Sequence, residues 1–405
     1  MTQEFINKYF YYFFIFTFIF SVLLYNVIGF KSADELCGLA LLGIFIAYVF
    51  QTKNWEFDKL FFITILIFLF YTAYSFYIKS NSAFGIITDL IIQMKPYLAF
   101  FAVYQMKPTF SDSQKLLLRQ ICITIWILLL PIGIYGIVDF SILKTVMEHA
   151  TNYAASIVCL SLIYLYCSKF TLKEKLFFLL MLSAGLASGR SKFYGFFALA
   201  ASFVLYFDNI NKIKINFKTV LISLITVGVV FFVARDKLQL YFVQSITGEI
   251  DRNLLARFVL YATSLEIFVD YFPFGSGLAS FATHASGVYY SDIYIKYGID
   301  SVWGLTPKAA YFVADTYYPS LAQFGVIGVI LYFSFWIYLI KKSFSYFRKS
   351  RQIQLFIIAA LVAGFLVIEN TADASFTSNR GFFMMLFLGL IMSEQYHQGI
   401  LKTKS

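Results

Sequence analysis

Long apolar runs fill almost the whole chain, and only one long polar segment interrupts them, between about Arg235 and Lys308. Hydrophobic residues make up 60% of the chain and charged residues only 13%, which is far from the balance of a soluble globular domain. Runs of about 15 to 22 apolar residues recur along the sequence, and runs of this length are typical of helices that cross a bilayer. The sequence therefore predicts an all-α membrane protein that crosses the bilayer many times.

Twelve apolar runs are predicted to be membrane spans, and the second, seventh and eighth are short for a bilayer of about 30 Å. This divides the chain into residues 1–234 with nine spans, a long loop at 235–311, and residues 312–405 with three spans and a tail. A loop of this length on a membrane protein usually carries the function. The predicted spans are 9–29, 36–50, 59–78, 84–106, 117–138, 151–167, 174–189, 192–207, 217–234, 312–340, 353–370 and 380–394.

Basic residues are distributed unequally between alternate connectors. Nineteen lie in connectors at 8, 53–59, 107–119, 169–175, 212–218, 341–351 and 402–404, whereas six lie in the short connectors of the other set. The positive-inside rule assigns the richer set, and with it both termini, to the cytoplasm. The long loop is then extracytoplasmic. The net charge of +10 is explained by this anchoring pattern, so we expect no nucleic-acid partner.

The ends and the cysteines add two further expectations. The first apolar run has no small-residue cleavage site, so we interpret it as an uncleaved span. The four cysteines, Cys37, Cys122, Cys159 and Cys167, lie in or beside apolar runs and not in the long loop. They indicate neither a disulfide framework nor a metal site, and no cofactor is expected.

Arg190 and Lys192 lie in the turn between the two short spans, seven and eight. Short spans put this turn at or below the lipid headgroups, where a charge is costly and usually has a partner or a ligand. Gly189 and the flanking serines suit close approach of the backbone to an anion. We interpret Arg190 first as a functional residue, and Lys192 first as a headgroup anchor and second as a substrate contact.

Within the long loop, the segment 253–270 has apolar residues at helical spacing and is predicted to be an amphipathic helix that carries Arg257 and Glu266. Pro273-Phe274-Gly275-Ser276-Gly277 then ends the helix, and this lone GxG follows no strand, so a dinucleotide site is rejected. The tyrosines further along the loop suit sugar surfaces or an interfacial aromatic belt. His284, the only histidine of the loop, is a candidate general base, although a structural role is more common for such a residue.

Charged residues also flank the spans that follow the loop. Asp315 and Tyr317 lie at the outer end of span ten, where Asp315 is predicted either to accept a proton from a sugar hydroxyl or to hold an arginine. Arg380 lies in the last outer connector with Glu369 and Asp373. We expect Arg190, Arg257, Asp315 and Arg380 to share one extracytoplasmic pocket, because isolated charges at headgroup depth are expensive. Asp89 and Lys95, inside span four, are interpreted as structural.

The order of these features resembles the O-antigen polymerase and O-antigen ligase superfamily of bacterial envelope polysaccharide assembly. The resemblance covers about residues 180–340 and lies in Ser188-Gly189-Arg190-Ser191, in Arg257 leading by a helix to Pro273–Gly277, and in the segment Asp315–Gly328. The ligases commonly have a His-Asn pair where this chain has Ala314-Asp315. This departure favours polymerase over ligase and leaves the general base open among Asp315, His284 and Glu266.

The resemblance implies a fold like that of the GT-C membrane glycosyltransferases, in the bacterial inner membrane. It implies transfer of a glycan from undecaprenyl diphosphate to an acceptor, with diphosphate handling by Arg190 and Arg257. At such a site we expect Arg380, Lys192, Glu266 and Tyr317 to contact the substrate. The implied partners are the lipid-linked oligosaccharide, membrane lipid and a chain-length regulator. A flippase or other carrier is the rival class, but such proteins tend to have repeated halves, and we find no repeat here.

Overall fold

The computed structural model of the chain describes residues 3–24, 33–52, 58–206, 228 and 255–403. Over these ranges the protein is built from helices, and its one isolated strand-type bridge joins Thr306 and Ala309. The helices are α1 (Gln3–Thr17, continued as a π-helix to Leu23), α2 (Ala33–Thr52), α3 (Lys59–Ile78), α4 (Ala83–Met106), α5 (Asp112–Val138), α6 (Ser141–Met147), α7 (Ala150–Tyr166), α8 (Leu172–Ser183, continued as a 3₁₀-helix to Ser188), α9 (Ser191–Tyr206), α10 (Ala256–Asp270), α11 (His284–Val288), α12 (Asp292–Lys296), α13 (Gly325–Ser350, preceded by a 3₁₀-helix from Tyr318), α14 (Ile353–Glu369) and α15 (Asn379–Thr403).

Six of the described helical segments are long and apolar enough to cross a membrane. They are Gln3–Leu23, Ala33–Thr52, Lys59–Ile78, Ala83–Met106, Asp112–Val138 and Tyr318–Ser350, and shorter apolar helices occur at Ala150–Tyr166, Ser191–Tyr206 and Ile353–Glu369. The all-α class is therefore confirmed, with six candidate spans, whereas the total of twelve stays a prediction. The second span was wrongly predicted to be short, since α2 has 20 residues. The predicted span 217–234 and the loop residues 235–254 lie outside the described ranges.

The centre of the helix bundle is α15, which packs most extensively against α4. Every side chain from Phe382 to Met392 is buried, so this helix faces protein on all sides over three turns. The two helices approach closely at Gly389, where an added Cβ would lie 2.7 Å from the carbonyl oxygen of Phe100. A helix that is hydrophobic all round is expected to be buried in this way.

Contacts between connectors divide the bundle into two ends. At one end, the amino-terminal residues, the connectors around 58, 107–115, 168–174 and 342–354 and the last turns of α15 meet. The alternate connectors, together with the long loop, meet at the other end, which we call the loop end. This alternation agrees with the predicted topology, while the side of the membrane that each end faces stays a prediction. The contacts of the first end include Gln3 with Lys107, His397 with Lys107, Lys342 with Asp58, Arg119 with Glu174 and Gln354 with Ser168.

The long loop is fixed to the bundle through its backbone. The buried carboxylate of Asp89 accepts a hydrogen bond of 2.8 Å from the amide of Ala279, and Asn81 donates to the carbonyl oxygen of the same residue at 2.7 Å. Asp89 is thus structural, as expected. Gly275 and Gly325 lie against each other, since a Cβ on Gly275 would be 2.2 Å from the amide nitrogen of Gly325. The Pro273–Gly277 segment therefore serves close backbone packing at the start of α13.

Candidate functional site

The turn between α8 and α9 carries Arg190 into the loop end. The 3₁₀ turn ends at Gly189, which has a φ of +62° that glycine adopts without strain. The guanidinium of Arg190 contacts the imidazole of His149, with a distance of 3.1 Å to Nδ1. His149 is the N-cap of α7, where its Nδ1 accepts a hydrogen bond from the amide of Thr151. The arginine is therefore oriented by a residue that the helix itself holds in place.

Lys192, in the first turn of α9, points into the protein and not toward lipid headgroups. Its Nζ lies 2.5 Å from the carboxylate of Glu369 at the end of α14 and 3.7 Å from that of Asp373. Asp373 in turn accepts two hydrogen bonds of 3.1 Å from Arg380 of α15. The side chain of Glu369 is only 3% exposed, so its charge depends on Lys192. The preferred sequence interpretation of Lys192, a headgroup anchor, is therefore wrong.

Arg257 and Asp315 are ion-paired across the loop. Arg257 is in the first turn of α10, as predicted for the amphipathic helix, and Asp315 precedes the 3₁₀ turn that leads into α13. Tyr261, one turn after Arg257, donates a 2.9 Å hydrogen bond to the carbonyl oxygen of Thr371. This bond holds α10 against the connector that contains Asp373. The arginine-holding role considered for Asp315 is thus present in the structure.

These side chains form one electrostatic unit, which we call the charged cluster. It contains Arg190, Lys192, Arg257, Arg380, Asp315, Glu369 and Asp373, with His149 at its edge. Burial lowers the pKa of Arg190. The charges of Glu369 and Asp373 oppose this shift, and the charge of Arg257 adds to it. The two arginines are therefore close enough to repel each other. Their electrostatic coupling with Asp315 brings together residues that the sequence groups at one site, while a pocket shared by them stays a prediction.

The carboxyl groups and the imidazole respond differently to this environment. Burial raises the pKa of Asp315, and the neighbouring Arg257 only partly offsets that effect. Burial would also raise the pKa of Asp373, but Arg380 and Lys192 reverse this, and its pKa is lowered. Partial desolvation and the Arg190 charge lower the pKa of His149 to about 4, so the ring is neutral at pH 7. The basicity of Asp315 is therefore enhanced, whereas that of Asp373 is reduced.

Two guanidinium groups of the charged cluster keep unused donors. Nε of Arg190, and Nε and Nη1 of Arg380, are buried and have no hydrogen-bond partner among the described residues. A buried charged donor without a partner is costly, and an anionic ligand removes that cost. The cluster has four cationic side chains and three carboxylates, so it keeps an excess of positive charge. This arrangement can bind a phosphate or diphosphate group.

Three of the predicted site residues lie outside the charged cluster. Glu266 is exposed and, nine residues along α10 from Arg257, lies on the opposite face of the helix. His284 is exposed at the start of α11 and lines a separate polar cavity. Tyr317 is buried among Tyr318, Tyr332 and Phe376, with its ring between that cavity and an apolar groove. Of the three base candidates, only Asp315 is in the cluster.

His149 is the residue that sequence reasoning missed. Nothing in its immediate pattern distinguishes it, because a histidine before an apolar run is a common N-terminal cap. The available signal was its connector, which the charge pattern assigns to the same side of the membrane as the turn that carries Arg190. Recognising the pair required the packing of α7 against the end of α8, which periodicity does not reveal.

Two connected cavities lie near the charged cluster. The polar cavity has a volume of about 320 Å³, and its lining includes Ala314 and Ala374, the sequence neighbours of Asp315 and Asp373. An apolar groove of about 290 Å³ runs between α3 and α13. Gln93 and Tyr317 line both the polar cavity and the apolar groove, so the two cavities are adjacent. The loop end therefore combines a cationic group, a polar cavity and an apolar groove.

In the part of the chain that the structure describes, no three His, Cys, Asp or Glu side chains are arranged to hold a metal ion. Comparison of this chain with protein-family models, with curated proteins and with solved structures finds no match.

Proposed function

We propose that this protein is a membrane glycosyltransferase that extends a polysaccharide, with a glycan linked to undecaprenyl diphosphate as the donor. The observation that carries the proposal is the charged cluster, where Arg190 and Arg380 present buried N–H donors that lack partners among the described residues. A diphosphate leaving group develops negative charge as the sugar–phosphate bond breaks. Fixed guanidinium groups stabilise that charge, and each is commonly worth about 3–4 kcal/mol.

The same site offers a base for the acceptor. In the proposed reaction, an acceptor hydroxyl attacks the anomeric carbon of the donor sugar, and a new glycosidic bond forms. The bond between that carbon and the phosphate oxygen breaks, and undecaprenyl diphosphate leaves with the electron pair. Asp315 takes the hydroxyl proton, for which its raised pKa is suitable. Arg257 holds this carboxylate in place, and His149 orients Arg190.

The surroundings of the charged cluster suit amphipathic, lipid-linked substrates. The apolar groove between α3 and α13 is lined by Phe68, Tyr71, Leu331 and similar side chains, and it suits an isoprenoid tail. An acceptor lipid bound there has its polar end next to Gln93 and Tyr317, so its sugars lie in the polar cavity, between the groove and the charged cluster. The energy for transfer comes from the donor diphosphate, so this reaction needs no nucleotide site.

Polymerase is favoured over ligase by resemblance alone, through Ala314-Asp315 at the position where ligases have His-Asn. The rival class is a flippase for lipid-linked oligosaccharides. One observation favours it: Lys95 lies in the middle of α4, where it is ion-paired with Asp34 of α2. Buried charges at this depth are common in transporters.

Reconstitution of the purified protein in proteoliposomes separates these functions. Radiolabelled lipid-linked repeat units, extracted from a strain that lacks this gene, serve as substrate. We expect the label to move into longer glycans that remain on undecaprenyl diphosphate. Transfer to added lipopolysaccharide core identifies a ligase. Movement of unextended units across the bilayer, measured by the accessibility of their sugars to periodate, contradicts the proposal and identifies a flippase.

A further inference from the structure

The polar cavity beside the charged cluster has a chemical character of its own. It lies between α2, α4, the start of α11, the 3₁₀ turn before α13 and the start of α15. Its lining includes hydroxyl groups of Thr283, Ser320, Thr377 and Ser378 and the amides of Gln93 and Asn379. Donors and acceptors therefore surround it from several elements, with the ring of Tyr317 on one side.

An ion triad forms the wall of the cavity on the α2 side, in which Lys95 and Asp34 are buried and the side chain of Glu35 is 42% exposed. Lys95 contacts one carboxylate oxygen of Asp34 and one of Glu35, the latter at 3.1 Å. The second oxygens, Oδ1 of Asp34 and Oε2 of Glu35, are buried and have no hydrogen-bond partner among the described residues. Asp34 is only 2% exposed. The two carboxyl groups also interact with each other, so like charges are close together there, and a ligand that donates a hydrogen bond to each relieves that cost.

The charge of the triad distinguishes this ligand from a phosphate. Two carboxylates face one ammonium group, so the wall is acidic and disfavours an anion. A neutral group with several hydroxyls can donate to both carboxylates and accept from Lys95 and the amides. The volume of about 320 Å³ is at the lower end of the range for small-ligand sites, which suits a single sugar ring.

We infer that this cavity is a recognition subsite for one monosaccharide unit of the glycan substrate, with Asp34 and Glu35 as the acceptors of its hydroxyl protons. The inference rests on the proposed function for the source of the sugar. Ala314 and Ala374, the sequence neighbours of Asp315 and Asp373, line the cavity, so a sugar in this subsite is next to the backbone that carries these two carboxylates of the charged cluster. The subsite decides which sugar is accepted, and the charged cluster holds the diphosphate.

Free monosaccharides at about 50 mM test the subsite in the purified protein, by the rise in melting temperature that ligand binding causes. The panel is glucose, galactose, mannose, rhamnose, N-acetylglucosamine and N-acetylgalactosamine. We expect at least one of them to raise the melting temperature by about 1–3 °C. Ala314→Leu, which fills the cavity, and Glu35→Gln, which weakens an acceptor, should abolish that rise. Ala309→Leu, a similar substitution outside the cavity lining, should retain it.

A second measurement separates this inference from the proposed function. Binding of sugar-free undecaprenyl diphosphate should be weakened by Arg190→Ala and unchanged by Ala314→Leu. Failure of every sugar in the panel to stabilise the protein, or a rise that survives Ala314→Leu, overturns the subsite. Sugar binding without any binding of the sugar-free carrier overturns the diphosphate proposal and leaves the subsite in place.

Discussion

The guanidinium of Arg257, in the first turn of α10, contacts the carboxylate of Asp315, which precedes the entry to α13. The two residues are 58 positions apart in the sequence, and their pairing closes the long loop over the end of the bundle. Both side chains are partly exposed, at 25% and 32%, so a ligand can reach them. The ion pair thus stabilises the loop and also positions Asp315, the base of the proposed reaction.

Asp315→Asn should lower the transfer rate by about 10²–10⁴, because the amide keeps the shape and cannot accept the proton. The raised pKa of Asp315 also predicts the pH dependence. Activity needs the deprotonated carboxylate, so it should rise with pH over a range above the usual pKa of aspartate. Rates measured in proteoliposomes between about pH 4 and 8 test this. Unchanged activity of Asp315→Asn at normal protein abundance removes Asp315 as the base.

Substitutions of His149 test whether a neutral ring is needed beside Arg190. His149→Gln retains a neutral acceptor, and most activity should remain. His149→Lys adds a cation at the same place and should displace Arg190, with a loss like that of Arg190→Ala. Because the pKa of His149 is lowered to about 4, acidification to about pH 5 should not reproduce the effect of lysine. Equal activity of the two variants contradicts the orienting role.

Gly275→Ala should destabilise the protein strongly because backbone occupies the space of the new side chain. The Cβ would lie 2.2 Å from the amide nitrogen of Gly325, and the φ of Gly275 is +82°. Gly298→Ala is the matched control, since its φ is +64° and nothing lies within 4 Å of its Cβ. The control should cost about 1 kcal/mol, and Gly275→Ala at least about twice as much. Equal decreases in melting temperature for the two variants contradict the packing role of Gly275.

The sequence predicts the helices well and their partners poorly. Apolar runs locate α3 and α4 to within a residue, because membrane helices must satisfy their own backbone hydrogen bonds and so depend on local composition. The helix that carries Arg257 is also found, from its amphipathic spacing. Its ion pair with Asp315 was one of two alternatives considered for that carboxylate, and no local pattern could decide between them.

Ion pairs between helices of the bundle cannot be predicted from the sequence pattern. Lys95 was interpreted as structural from its place on α4, and six residues separate it from Asp89 on another face. Its partners, Asp34 and Glu35, are on α2, which is 61 and 60 residues earlier in the sequence. For Lys192 the sequence favours contact with lipid headgroups, because a lysine near a short span commonly extends to them. Only the packing of α9 against α14 shows that Lys192 is ion-paired with Glu369.

Substituted cysteines should establish which end of the bundle faces outward. In a background without Cys37, Cys122, Cys159 and Cys167, an impermeant maleimide applied to intact cells should label cysteines at the exposed positions Lys308 and Thr371 of the loop end. It should not label the exposed positions Ser113 and Lys173 at the opposite end until the membrane is permeabilised. The asymmetry of basic residues is the physical basis. The reverse pattern excludes transfer at the outer face.

Arg190 gives the most direct test of the anion-binding mechanism. Arg190→Ala should lower the transfer rate by about 10²–10³ and weaken the binding of undecaprenyl diphosphate, because the N–H groups of the guanidinium no longer donate to the phosphate oxygens. Arg190→Lys should recover only part of both, since an ammonium lacks the planar pair of donors that arginine presents. Arg119→Ala is a matched control: Arg119 also pairs with a neighbouring side chain, Glu174, but at the opposite end of the bundle. Polysaccharide length on gels, immunoblots of membrane fractions and carrier binding should be measured together. Full-length polymer from Arg190→Ala at normal abundance refutes the mechanism, and equal losses from Arg119→Ala show that the effect is not specific to the charged cluster.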